Sequence, residues 1–168
     1  MTPKNSAWHE RHETKIGDYG EKLIREYLKN LGCICYEPST DGAHLCDFFM
    51  FNRDKSVIAA EVKTKPARKK YPDTGFDLKH YNGYKKFTEE HSINMFIFFV
   101  DEDCGKIYGN YLHELDKPRV SNGMSYPSEE RTKYGQVIRY YPLEAMIPIR
   151  ELTSEEICEL KRLRSDRS

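Results

Sequence analysis

The sequence predicts a single α/β domain. A helix precedes three strands, a second helix and a fourth strand, and further strands and a helix are appended. Three observations carry this reading. Leu23, Ile24, Tyr27, Leu28 and Leu31 repeat at helical spacing. Two strand-favouring runs, residues 45–51 (LCDFFMF) and 56–63 (SVIAAEVK), adjoin across the polar Asn52-Arg53-Asp54-Lys55. Residues 93–100 (INMFIFFV) form a continuous apolar run, the pattern of a central strand covered on both faces.

The first helix opens at Gly17-Asp18-Tyr19-Gly20-Glu21 and stops at Gly32, and the two inner glycines would let it approach a sheet closely. Cys33 and Cys35 alternate on a short strand that reads as core beside the hairpin. After the paired strands, a second helix spans about 76–91, capped by Asp77, with His80, Tyr84, Phe87 and His91 along one face. Strands follow at 93–100, 106–112 and 137–141. Residues 120–133, rich in Gly, Pro and Ser, read as a mobile loop. Thr153-Ser154-Glu155-Glu156 has the form of a capping box opening a last helix with a frayed basic tail.

The paired runs place charge in an unusual way. Folded back about Asp54, they set Phe51 against Val57, Phe49 against Ala59 and Asp47 against Glu61. Directly opposed residues have Cβ atoms roughly 5 Å apart. Alternation puts Glu61 and Lys63 on one face and Val62 on the other. Two opposed carboxylates destabilise a hairpin unless something positive lies between them. Mg²⁺ suits that position, since it prefers carboxylate oxygens and leaves room for a phosphate and an attacking water. The bland alternative is a solvated surface hairpin. Acid-any-Lys occurs four times in the chain, but only Glu61-Val62-Lys63 ends a β-branched run with an acid in register on the preceding strand.

Asp47, thirteen intervening residues and Glu61-Val62-Lys63 resemble the PD-(D/E)XK nuclease superfamily, which includes restriction endonucleases and archaeal Holliday-junction resolvases. Cys46 stands where the family name has proline. Asp41 could substitute for Asp47 but lies in a Ser-Thr-Asp-Gly turn out of register. The resemblance covers about residues 16–100. It implies a restriction-endonuclease-like αβββαβ core, a mixed sheet flanked by helices, with a C-terminal β/α extension over 101–168. It also implies a Mg²⁺- or Mn²⁺-dependent DNA nuclease, an endonuclease by preference, with Asp47, Glu61 and the Val62 carbonyl as metal ligands. Lys63 would position or activate the water. Resolvase-like members carry a Glu in the first helix, which maps to Glu21; the alternative is an acid that interacts with the helix dipole. His80 and Tyr84 resemble a Gln-x-x-x-Tyr signature with His for Gln, and their roles stay open.

Five of the eight residues 63–70 are basic, so Lys65, Arg68, Lys69 and Lys70 are the candidate nucleic-acid contacts. The formal net charge is zero, so any such surface is local, with Asp101-Glu102-Asp103 placed elsewhere. No apolar run nears the roughly 20 residues needed to cross a bilayer. The polar N-terminus and five cysteines fit a cytoplasmic protein. Cys33/Cys35 and His9/His12 lack zinc-ligand spacing. DNA is the expected partner, with RNA not excluded; a homodimer would suit cutting of both strands. Two further readings stay open: a non-cleaving nucleic-acid binder on the same fold, and a protein-interaction subunit whose 12 tyrosines serve an interface.

Overall fold

The computed structural model describes residues 12–38, 44–52, 54 and 56–165. His9, Asp41, Arg53, Lys55 and the tail beyond Ser165 therefore lie outside the described residues. Ile16, Leu23, Ile24 and Leu28 form the buried stripe of α1 (His12–Asn30), so the helix begins a full turn earlier than the sequence suggested. Ile16 extends the stripe seven residues back from Leu23, and the tertiary contact outweighs the cost of Gly17 and Gly20 within the helix. Leu31 falls past the helix end and is 54% exposed.

The strands β1 (Ile34–Tyr36), β2 (Phe48–Phe51), β3 (Val57–Thr64), β5 (Asn94–Asp101), β6 (Lys106–Tyr111) and β11 (Ile147–Glu151) form one mixed sheet in the order β1-β2-β3-β5-β6-β11. β3 pairs parallel with β5, and the other neighbours are antiparallel. Six of the eight β5 residues are buried, as the continuous apolar run required. Even-numbered β3 residues Ile58, Ala60 and Val62 face α1 and α4 (Ser154–Ser165). Odd-numbered Ala59 faces α2 (Leu78–His91) and α3 (Leu112–Leu115). The chain is thus a mixed sheet flanked by helices. No helix among the described residues is long and apolar enough to cross a membrane.

Two expectations change. Residues 73–77, expected to lead into the second helix, form a strand, β4 (Asp73–Asp77), and the helix starts at Leu78 with the Asp77 carboxylate capping the Lys79 N–H. Local propensity disfavours Asp-Thr-Gly as a strand, but Gly75 is needed there: a Cβ on it would lie 2.1 Å from the Arg139 carbonyl oxygen. The strand expected at 137–141 is β10 (Val137–Pro142), which pairs with β4 and gives a second sheet β4-β10-β9. The expected mobile loop is instead β7 (Arg119–Ser121), β8 (Met124–Tyr126) and β9 (Ser128–Arg131). The capping box forms as read, with the Thr153 and Glu156 N–H groups bonding each other's side chains at 2.8 and 3.2 Å.

Gly20 makes the close approach that α1 needs. A Cβ there would lie 1.8 Å from Thr64 Oγ1 and 3.0 Å from Thr64 Cβ on β3. Gly17 has nothing within 4 Å of such a Cβ. Helix propensity alone would make Gly20→Ala stabilising by about 1 kcal/mol. The expected result is the reverse, a loss of about 1–3 kcal/mol from overpacking. Adding Thr64→Ala should recover part of it, since Thr64 Oγ1 has no hydrogen-bond partner to lose. Chemical denaturation of the single and double variants checks this.

Candidate active site

The hairpin has the expected register: Phe51 opposes Val57 and Phe49 opposes Ala59. The ladder ends at Phe48 opposite Ala60, one residue short of Asp47. There β2 bends. The Asp47 N–H donates to the Ala60 carbonyl at 3.0 Å, one residue out of step. The Asp47 carboxylate then accepts the Val62 N–H at 2.7 Å, a bond that regular pairing would give to a backbone carbonyl of β2. This exchange fixes Asp47 against β3 at the Glu61-Val62 step.

Glu61 is 7% exposed on the face of β3 that turns toward α2. The Lys63 ammonium donates to Glu61 Oε1 at 2.5 Å and to the Tyr84 hydroxyl at 3.2 Å. It also lies 5.9 and 5.7 Å from the ring centres of Phe76 and Tyr84, within cation–π reach. Burial first, then Glu61, push the Tyr84 pKa well up. A half-enclosed lysine is therefore held by one carboxylate, one phenol and two rings.

The acids around it are short of positive charge. Burial first, then Glu61 and Glu21, raise the Asp47 carboxyl to about 8, against the Val62 N–H and Lys63. Burial and Asp18 raise Glu21 to about 7, opposed by Arg25, whose Nη1 is 3.5 Å from Glu21 Oε2. Glu21 thus acts on the two hairpin carboxylates from the α1 side of the sheet. Among the described residues, no three His, Cys, Asp or Glu side chains form a ready-made metal-binding group. The donors that are present nevertheless fit a hard divalent cation. They are carboxylate oxygens, desolvated and mutually repelling, with the one ammonium among them already bonded to Glu61.

Lys65 lies just past the end of β3, and burial, then Lys63 and Arg68, lower its pKa to about 8. Lys69 and Lys70 are exposed, with the Lys70 ammonium 5.0 Å from the Tyr71 ring. Arg68 is engaged differently from the solvent-facing contact expected of it. It bonds both Asp73 oxygens and Glu130 at 2.6 Å, and its guanidinium lies 3.6 Å from the Tyr140 ring centre. His80 lies near the site, its ring centre 6.3 Å from that of Tyr84, and burial, then Lys63, lower its pKa. Cys33 and Cys35 are partly buried against the α1-side core, as read.

Several residues that shape the site were not singled out from the sequence. Phe76 was read as helical, so its contact with Lys63 was missed. The sequence places Asp101 away from any nucleic-acid surface, yet it is 1% exposed and takes the Ala67 N–H of the basic loop and the Tyr108 hydroxyl, each at 2.9 Å. It braces the basic loop from below. Glu102, also 1% exposed, bonds Arg164 of α4. The available signal was position: Asp101 ends the most buried strand of the sheet and Glu102 follows it.

No family model and no curated protein matches the sequence. Among solved structures, the chain is similar to a 1.6 Å structure of Archaeoglobus fulgidus Hjc, a Holliday junction resolvase from an archaeal hyperthermophile. The two are 13% identical, with a TM-score of 0.48, over 73% of this chain and 86% of that one. A similarity that distant assigns neither a family nor a chemistry.

Proposed function

We propose that this protein is a metal-dependent nuclease that hydrolyses phosphodiester bonds in DNA. One observation carries the reading: Asp47, Glu61 and Lys63 converge at the bend of the hairpin, where the carboxylates are desolvated and their repulsion is only partly offset. Without a cationic ligand such an arrangement costs stability and returns nothing. Asp47, Glu61 and the Val62 carbonyl would hold Mg²⁺ or Mn²⁺. Bound there, the cation would supply Lewis-acid polarisation of the phosphate and charge for its transition state.

This chain's own groups would do the rest. Lys63, aimed by Tyr84, would hold the attacking water against the phosphate and stabilise the developing charge. Glu21, on the α1 side, would assist directly or through a metal-bound water. Lys65, Lys69 and Lys70 would neutralise phosphates of the bound strand. Arg68 would shape that loop, with its guanidinium shared between Asp73 and Glu130.

The test is cleavage of supercoiled plasmid, linear duplex, single-stranded and four-way-junction DNA, with RNA as a control. Each substrate is run with Mg²⁺, Mn²⁺ or EDTA, for wild type and Glu61→Ala. Cutting that needs the cation and vanishes in the variant is expected, and the preferred substrate would name the class. Salt-sensitive binding with no cutting by the folded wild type would replace this reading with the binding-only one.

A further inference from the structure

The β9–β10 connection carries chemistry that the carboxylate site does not use. Gly135 takes a left-handed conformation, φ +87°, at the turn. Its N–H bonds the Thr132 carbonyl at 3.0 Å, and the Thr132 N–H bonds the Gln136 carbonyl at 2.7 Å. Arg131 Nη1 reaches the Gly135 carbonyl at 3.2 Å. This braced turn holds Tyr134 79% exposed, with the Lys133 ammonium 4.9 Å from its ring centre. A ring so exposed adds almost nothing to the core. Carried on a braced turn and paired with a cation, it is a platform for stacking a planar group.

Charge on this side points to a polyanion. Glu129 and Glu130 are bonded by Arg139 and Arg68, each at 2.6 Å, and these guanidiniums also serve Asp116 and Asp73. Among the described residues, Arg131, Lys133, Lys69 and Lys70 have no carboxylate at ion-pair distance. In a chain of zero formal net charge, that is a local basic surplus.

The base of the hairpin lies at the N-terminus of α2, the helix that also carries Tyr84. Ile138 opposes Asp77, the residue that caps α2. Val137, Asp77, Leu78, Lys79 and Asn82 line an open cavity of about 330 Å³. Lys79 and Asn82 share one face of α2, while His80 and Tyr84 share another that turns to Lys63. The hairpin therefore meets α2 at its start, and Lys63 of the site meets it at Tyr84.

We infer that the β9–β10 hairpin is a second nucleic-acid contact, in which Tyr134 stacks on an unpaired base and Arg131 and Lys133 neutralise its neighbouring phosphates. The substrates of the site then carry unpaired nucleotides within reach of this hairpin. A paired base keeps its faces inside the duplex stack, whereas an unpaired one offers a face to an exposed ring. The link to cleavage rests on the nuclease reading; the binding does not.

Fluorescence anisotropy in EDTA, with labelled single-stranded DNA, single-stranded RNA and blunt duplex DNA of one sequence, tests the full-length protein. Tyr134→Ala should weaken single-strand binding about 5- to 100-fold, leave the duplex nearly unchanged and be rescued by Tyr134→Phe. Arg131→Ala with Lys133→Ala should lower the slope of log affinity against log salt by about 1–2. The DNA and RNA arms identify the preferred backbone. Tyr134→Ala that binds every oligonucleotide like wild type, or loses duplex and single strand alike, overturns the inference. Loss confined to single strands, in a protein that cuts nothing, would keep this contact and remove the nuclease reading. Metal-dependent cutting with binding unchanged in Tyr134→Ala would do the opposite.

Discussion

Asp47→Asn is expected to abolish metal-dependent cleavage, by at least about a thousandfold because the site residues act as a unit, while making the metal-free protein more stable. The two effects share one cause. Asn keeps an oxygen for the Val62 N–H that Asp47 accepts at 2.7 Å, so the local geometry has no reason to change. What disappears is a charge that burial, Glu61 and Glu21 all disfavour. Relief of a poorly compensated buried charge should contribute about 1–2 kcal/mol, or about 2–8 °C at this chain length.

The pH dependence fixes the sign. The Asp47 carboxyl is raised to about 8 in the folded protein, against about 3.9 unfolded. Below pH 4 both states are protonated and the group contributes nothing. Between pH 4 and 8 the folded state binds the extra proton, so metal-free stability falls as pH rises and the penalty is complete above 8. Thermal unfolding in EDTA should therefore show the advantage of Asp47→Asn near zero at pH 4 and greatest above pH 8. Mg²⁺ should raise the wild-type midpoint at pH 7.5 and leave that of the variant in place. A variant that is no more stable than wild type at pH 8.5, or that still cuts, would refute the role given to Asp47.

Much of this site was legible because alternation and pairing are local rules. Phe49 against Ala59 and the shared face of Glu61 and Lys63 follow from a period of two and a turn centred on Asp54. The stripe of α1 followed from its period of 3.6. The bend at Asp47 was not legible, since nothing in LCDFFMF says the ladder will end at Phe48 and pass a hydrogen bond to a side chain. β4 was hidden for a related reason: Asp73-Thr74-Gly75 is a strand only because β10, over sixty residues later, passes close to Gly75. Asp101 and Tyr84 show the same limit. Their importance lies in which N–H or ammonium arrives from another element, and composition does not carry that information.

Asp73→Ala should be among the most destabilising substitutions in the chain, although Asp73 lies outside the proposed chemistry. The side chain is 0% exposed. Its two oxygens accept Arg68 Nε and Nη2 at 2.6 Å each, and Oδ2 also accepts the Tyr126 hydroxyl at 2.7 Å. Alanine would leave Arg68 with Glu130 alone, at a half-exposed site, and Tyr126 with a buried hydroxyl lacking its carboxylate. Removing one partner of a buried ion pair costs about 3–5 kcal/mol, a fall of about 6–20 °C in the thermal midpoint. The loss is mostly the stranded arginine, so Arg68→Ala with Asp73→Ala should cost less than the two singles added together. The consequence for function runs through the chain: Arg68 and Asp73 pin the loop that carries Lys65, Lys69 and Lys70 to β9 and β10. At a temperature where the Asp73→Ala protein stays folded, affinity for nucleic acid should fall while the rate of the bound complex changes little. A midpoint within 2 °C of wild type would mean that the second sheet does not depend on this pair, and that the basic loop is held by Asp101 through the Ala67 N–H instead.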